Sequence, residues 1–254
     1  MLETVAVIDG DSLCYICSKE NISTSIKNID SIIESIRIKT GASSYYLFIS
    51  EGIYFRHNIN NQYKAHRPIS DLKYLKTLKS YLKEQYNALS FEGLEADDMN
   101  GLVMFNQVNP KKYKYINCSP DKDVKKQIAG EHYDYKKVER GVTSNNEAIH
   151  FLFKQLLEGD AGDNIKGLKG IGKVKSELIL KDCKTLEHYY QTCLKQYIQT
   201  YGLGEGIHNF TKVFKQVYIL RKPIDFYTNV GYIPELPTPF KFQTTHDNES
   251  TEEF

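Results

Sequence analysis

The 254-residue sequence predicts an α/β fold, a mostly parallel central sheet flanked by helices, followed by a helical C-terminal module. Over residues 1–144, short apolar runs rich in β-branched and aromatic residues alternate with amphipathic helical patterns, the alternation that builds a parallel sheet covered by helices. From residue 145 onward the apolar residues recur at helical spacing alone, with glycine-rich breaks between them.

In chain order, "TVAVID" (4–9) and "YYLFIS" (45–50) read as buried strands, each running into acidic or polar residues. "ALSFEG" (88–93) and "KYKYINC" (112–118) read as two more. Helical patterns cover 23–39, 71–86 (with Leu72, Leu75, Leu78 and Leu82 on one face) and 96–107. In the second half they cover 146–158, 173–181, 186–200 and 208–220. The expected division is a core over 1–144, a helical module over 145–240 and a disordered acidic tail over 241–254, "TTHDNESTEEF" being polar and aperiodic.

A net charge of +1 excludes a uniformly basic coat but hides local patches. Segment 53–87 carries seven Lys/Arg against two Asp/Glu, and 166–184 carries six against two. Five scattered cysteines do not suggest a disulfide framework. Cys14 and Cys17 form a CxxC without a second pair, so burial at a helix start is preferred to half a zinc site. No apolar run reaches membrane-spanning length and no signal-peptide pattern opens the chain, which predicts a cytoplasmic protein.

Acids fall where α/β sheets bind ligands, after the carboxyl ends of strands. Asp9 and Asp11 follow the first run, and Glu51 the second. Glu95, Asp97 and Asp98 follow the third, Asp121 and Asp123 the fourth, and Asp160 and Asp163 come from the helical half. Taken singly, Asp97 or Asp121 reads as a helix cap. Converging carboxylates, however, destabilise one another unless cations sit among them. Oxygen ligands without His or Cys suit Mg²⁺, with Mn²⁺ as a substitute. So many acids suggest two ions, able to clamp the attacking and leaving oxygens of a phosphodiester.

Basic and glycine residues supply a phosphate grip. "GLKGIGKVKSELIL" sets Gly167, Gly170 and Gly172 in a turn before a helix bearing Lys173 and Lys175, which reads as a helix–turn–helix corner or a sequence-independent DNA-backbone clamp. Arg56, Lys64 and Arg67 lie in "YFRHNINNQYKAHRP", just past Glu51, where they would hold a phosphate against the metals. Lys73, Lys76 and Lys79 read as a solvated helix face.

In order, "VIDGDSLCY", "FR…YKAHR", "EADD", "SPDKD" and "GDAGDNIKGLKGIG" resemble the motifs of the flap endonuclease/5′-nuclease family, which includes bacteriophage 5′–3′ exonucleases and the N-terminal nuclease domain of bacterial DNA polymerase I. The resemblance spans residues 5 to about 180. It implies a PIN-like nuclease core and a helix–three-turn–helix element over Gly170–Ser176 that grips duplex backbone and, in the family, often binds K⁺. It also implies that Asp9, Glu51, Glu95, Asp97, Asp98, Asp121, Asp123, Asp160 and Asp163 surround two divalent ions, directly or through water. Lys64 and Arg67 match the catalytic basic pair, and Tyr15 the aromatic that stacks on a base beside the scissile phosphate. Three departures stand out. Glu51 or Ser50 replaces the family's Asp before "FR", the segment from Lys64 to Asp71 is short for a threading arch, and Asp11 sits where the family varies.

The implied activity is hydrolysis near 5′ ends or 5′ flaps of DNA, with RNA primers in RNA·DNA hybrids as a further substrate, in replication or repair. The implied setting is the cytoplasm of a bacterium or a phage-infected cell, with a replication protein docking on the acidic tail as a further partner. Two alternatives are an RNA-processing nuclease of related acidic-site fold and a non-catalytic branched-DNA-binding protein derived from a nuclease. The first needs neither the "GIG" turn nor "YKAHR", and the second would have lost acids that this sequence retains.

Overall fold

The computed structural model describes residues 2–19, 21–67, 74–106, 109–221 and 236–242. Its sheet is organised on β1 (Glu3–Asp9), where Val5 and Val7 face one side and Ala6 and Ile8 the other, all fully buried. A strand apolar on both faces belongs inside a parallel sheet. β1 pairs in parallel with β2 (Ser44–Phe48) on one side and β3 (Tyr113–Cys118) on the other. β4 (Gly130–Asp134) extends the parallel run beside β3, and β5 (Glu139–Thr143) closes that edge in antiparallel.

One face of the sheet carries α1 (Gly10–Cys17), α2 (Ile22–Thr40) and α4 (Leu75–Tyr86), whose Leu13, Ile29, Ile33, Ile36, Leu78 and Leu82 meet Ala6, Ile8 and Leu47. Cys14 and Cys17 are buried in this cluster, as the helix-start reading expects. The other face carries α5 (Ala96–Asn106) and α6 (Lys122–Gln127). The short helix α3 (Phe55–Ile59) lies between β2 and α4. A third cluster joins α7 (Asn145–Glu158), α8 (Lys173–Leu180), α9 (Leu186–Tyr201) and α10 (Leu203–Val217). Ser144 and Glu147 form a reciprocal capping box at the start of α7. Between α7 and α8, β6 (Gly159–Asp160) and β7 (Ile165–Lys166) make a two-stranded ribbon around a 3₁₀ turn. After α10, Ile219 and Leu220 enter the cluster under the sheet, and β8 (Phe240–Lys241) pairs antiparallel with β2.

The architecture is the α/β fold read from the sequence, with differences in particular elements. "ALSFEG" is not a strand: it touches the sheet side only through single bridges from Leu89 to Phe48 and from Gly93 to Tyr54. The edge of β2 at Ser44 and Tyr45 is already taken by β8. The β4–β5 hairpin escaped the sequence reading because it is an edge, with Glu139, Arg140 and Val142 exposed and too polar a pattern to signal burial. α10 starts at Leu203 rather than 208, through Gly204 and Gly206. Gly206 is a poor helix former, yet a Cβ there would lie 2.6 Å from the Ile198 Cα, so close packing on α9 requires it. Helix 71–86 is described from Leu75; positions 71–73, the arch segment 68–73 and tail positions 243–254 lie outside the described residues.

Candidate active site

Asp9 ends β1 in the sheet centre and is buried, its carboxylate accepting from the Ser12 amide (3.0 Å) and the Ser119 hydroxyl (2.7 Å). Asp97 stands in the first turn of α5, and Asp121 caps α6 at the end of β3, accepting from the Asp123 amide at 2.6 Å. Burial first, and then the charges of Asp9 and Asp121, push the Asp97 carboxyl well above its usual range. Burial and neighbouring acid raise Asp9 to about 6 and Asp123 to about 8. Asp123 Oδ1 is buried without a hydrogen-bond partner. These acids are brought together by the parallel strands, whose carboxyl ends all point to one edge of the sheet.

The helical half closes over them through the β6–β7 ribbon. A Cβ on Gly167 would lie 2.3 Å from the backbone at Gly159, so only glycine lets the two strands approach this closely. The turn between them carries Asp160, which accepts from Gly162 N at 2.7 Å, and Asp163. Lys122 reaches to 3.6 Å from Asp160 and 3.7 Å from Asp123. Burial alone would raise Asp160, but the Lys122 charge holds it below its ordinary value.

Lys64 and Arg67 complete the site from the segment after α3. Lys64 donates to Glu95 and lies 3.8 Å from Asp163, while its amide donates to the Asp163 carbonyl at 3.0 Å. Arg67, half exposed, donates to Asp163 and to the Gly162 carbonyl (3.3 Å). Burial would raise Glu95, but the Lys64 and Arg56 charges bring it down to about 2. Tyr63 was missed by the sequence reading: its hydroxyl lies 2.9 Å from Glu95 and 3.0 Å from Asp163, one proton facing two carboxylates. Its only sequence signal was adjacency to Lys64. Glu95, Asp97, Asp123, Asp160 and Asp163 line a single narrow cleft with Tyr63.

Among the described residues, no three His, Cys, Asp or Glu side chains are arranged to hold one ion. Lysine and arginine nitrogens hold Glu95 and Asp163, and Lys122 lies close to Asp123 and Asp160. The donor chemistry nevertheless fits a hard divalent cation: the cleft is oxygen-lined, its buried carboxylates repel one another, and one buried carboxylate oxygen accepts no hydrogen bond.

Several sequence expectations are corrected. Asp98 is fully buried, and its two oxygens accept from Arg56 twice (2.7 and 2.8 Å), Glu95 N and Leu220 N, which exhausts their lone pairs. It is therefore not available to a metal. Arg56 is equally committed: all five of its N–H groups go to Asp98, Glu95 and the Gln216 and Tyr218 carbonyls. It locks the end of α10 to α5 and cannot meet DNA. Glu51 lies at the surface, paired with Lys83 (2.5 Å) and Ser90 (2.7 Å). Ser50 takes the inner position instead, its amide on Asp11 and its hydroxyl accepting from Ala96 N at 2.8 Å. Ser176 is buried against Glu158 rather than facing out. Lys79 is no solvated lysine, since it pairs with Asp11 at 2.6 Å.

The remaining expected contacts face outward. Tyr15 is 53% exposed on α1, the helix that Asp9 caps. Gly170 and Gly172 flank the exposed turn before α8, and Lys173 and Lys175 project from its first turn.

The "DNA polymerase I" of Borreliella burgdorferi is 29% identical over 188 residues, which take in 67% of this chain but only 20% of the polymerase. The "5′-3′ exonuclease" of Mycoplasmopsis pulmonis is 26% identical over 221 residues, covering 75% of this chain and 70% of that protein. The crystal structure of the bacteriophage T5 D15 flap endonuclease with DNA and metal ions matches with a TM-score of 0.57 at 16% identity, over 85% of this chain and 99% of that one. The fold is that of the T5 flap endonuclease. No family model matches the chain. The relatives carry the names of the family whose motifs the sequence resembles.

Proposed function

We propose that this protein is a divalent-metal-dependent 5′-nuclease, cleaving phosphodiesters at or near 5′ ends and 5′ flaps of DNA, in replication or repair. The observation that carries the reading is the convergence of strand-end acids with Asp160, Asp163, Lys64 and Arg67. The relatives' names, 5′-3′ exonuclease and DNA polymerase I, support it. Asp9, Glu95, Asp97, Asp121, Asp123, Asp160 and Asp163 are the residues that would hold Mg²⁺ ions, directly or through water. When bound, such ions supply a water acidic enough to attack phosphorus and a positive field at the leaving oxygen.

The chain's own residues set the rest. Lys64 is held in place by Glu95, whose orientation Arg56 and Tyr63 fix in turn. Its ammonium stays protonated, because the Glu95 and Asp163 charges outweigh the effect of burial. Arg67 is the cation with the freedom to swing onto a phosphate, being half exposed and held by one carboxylate. Tyr15 offers an exposed ring on the helix that Asp9 caps, for a base to stack on. Lys173 and Lys175 suit a duplex backbone. RNA·DNA hybrids are a proposed further substrate, and five buried free thiols suit a reducing cytoplasm.

The test uses a duplex with a 5′ single-strand flap, labelled at both ends of the flapped strand, incubated with Mg²⁺ or EDTA. Wild type is expected to cut near the branch or step inward from the 5′ end, and only with Mg²⁺. Asp160→Asn should bind the same DNA and leave it intact. Cleavage by that variant at the wild-type rate would remove Asp160 from the site.

A further inference from the structure

A second cavity lies outside the carboxylate cleft. It is an open hollow of about 880 Å³ between the β4–β5 hairpin, α6 and α7. Its wall carries six Lys/Arg residues, and two of them, Lys126 and Lys137, face it with no carboxylate partner among the described residues. Lys126 lies over the Phe151 ring at 5.4 Å, whereas Arg140, paired across the hairpin with Tyr133, turns to the Thr40 carbonyl (3.0 Å) at the end of α2, on the other face of the sheet. Lys125 and Lys154 are neutralised, by Asp134 and Glu177 respectively. Of the remaining acids on the wall, Glu147 is spent on the α7 capping box, and Glu139 is exposed.

Two further features narrow the ligand. Phe151, a half-buried ring, lines the hollow beside these cations, and the Nδ1 atom of His132 on the same wall is buried without a partner. A basic groove with an aromatic platform and an unmatched ring nitrogen fits phosphates carrying bases better than it fits a bare anion. Lys122 then fixes the direction. It lines this hollow and also reaches to within 3.6 Å of Asp160 in the carboxylate cleft, so the two sites are continuous through one side chain.

We infer that this hollow is a second nucleic-acid site, taking a few nucleotides of single strand that run on from the carboxylate cleft across Lys122. Lys126 and Lys137 meet its phosphates, and Phe151 stacks a base. The inference rests on the nuclease reading only for the direction of the strand; the binding surface stands by itself.

The test measures anisotropy of a labelled oligothymidylate of about a dozen nucleotides, in EDTA, across a salt series. Lys126→Gln combined with Lys137→Gln removes two exposed charges without disturbing the core. It is expected to weaken single-strand binding roughly tenfold and to lower the salt slope by about 1.4, since each phosphate that a lysine neutralises on a single strand adds about 0.7 to that slope. Phe151→Leu keeps the packing and should weaken binding without changing the slope. Affinity for a blunt duplex should be the same in all variants. Unchanged single-strand affinity and slope in the lysine pair would overturn the inference, as would a weakening confined to duplex. Cleavage of the flapped duplex by wild type, run alongside, decides the nuclease reading separately. An inactive wild type whose single-strand binding still depends on Lys126 and Lys137 leaves this site standing. An active wild type whose binding ignores them sinks it alone.

Discussion

Replacing Arg56 by alanine separates a surface contact with DNA from an internal lock. The guanidinium is buried and uses all five of its N–H groups. Its removal strands the fully buried Asp98 carboxylate and leaves two backbone carbonyls near α10 without their donor. Breaking a buried pair by deleting one partner costs about 3–5 kcal/mol. That is a fifth or more of the stability of a typical domain, about 5–15 kcal/mol. At about 2–4 °C per kcal/mol for a chain of this size, the melting temperature should fall by about 6–20 °C. Circular dichroism on heating and in urea reads the loss, and DNA binding is measured well below the melt. Arg56→Met with Asp98→Leu, which removes both charges, should recover most of the stability. A single variant that melts within about 2 °C of the parent yet binds DNA several-fold more weakly would refute the lock and return Arg56 to the DNA surface.

Other outcomes follow from the same geometry. Lys173→Ala with Lys175→Ala should weaken duplex binding about equally for all sequences and lower the salt slope by about 1.8; an unchanged slope in fluorescence anisotropy would make the turn before α8 a structural corner. The folded-state values of Asp9 (about 6) and Asp123 (about 8) stand above the unfolded carboxyl value, so the metal-free protein loses stability as pH rises through them. Mg²⁺ should therefore raise the melting temperature more at about pH 8 than at about pH 5, and an equal rise at both, by scanning fluorimetry, would count against metal binding at these acids. Glu51→Gln should cleave flapped DNA with the parent's Mg²⁺ dependence, because its side chain is occupied at the surface by Lys83 and Ser90; a tenfold higher Mg²⁺ requirement would place it back in the site.

Much of this protein is legible in one dimension. β1, β2 and β3 announce themselves as apolar runs because both faces of a parallel sheet are buried. Asp9, Asp121 and Asp123 could be placed at one edge because parallel strands end together, whereas Asp97 reaches it from the first turn of α5, after a run that is not a strand. Gly167, Gly170 and Gly172 were visible as a turn, and at Gly167 the backbone makes an approach that a Cβ forbids.

What only the tertiary structure decided is which charge meets which. Arg56 and Arg67 look alike in a basic segment, yet one is swallowed between α5 and the end of α10 and the other stays half in water. Asp97 and Asp98 are neighbours in sequence, but successive residues on a helix point some 100° apart. One therefore faces the other acids and the other faces Arg56. Glu51 and Ser50 are separated in the same way, by one residue's turn of the chain. Periodicity fixes which residues are buried or exposed on an element. The partner of a buried charge is set by elements brought in from more than a hundred residues away, as Gln216, Tyr218 and Leu220 are to Arg56 and Asp98, and no local pattern encodes that.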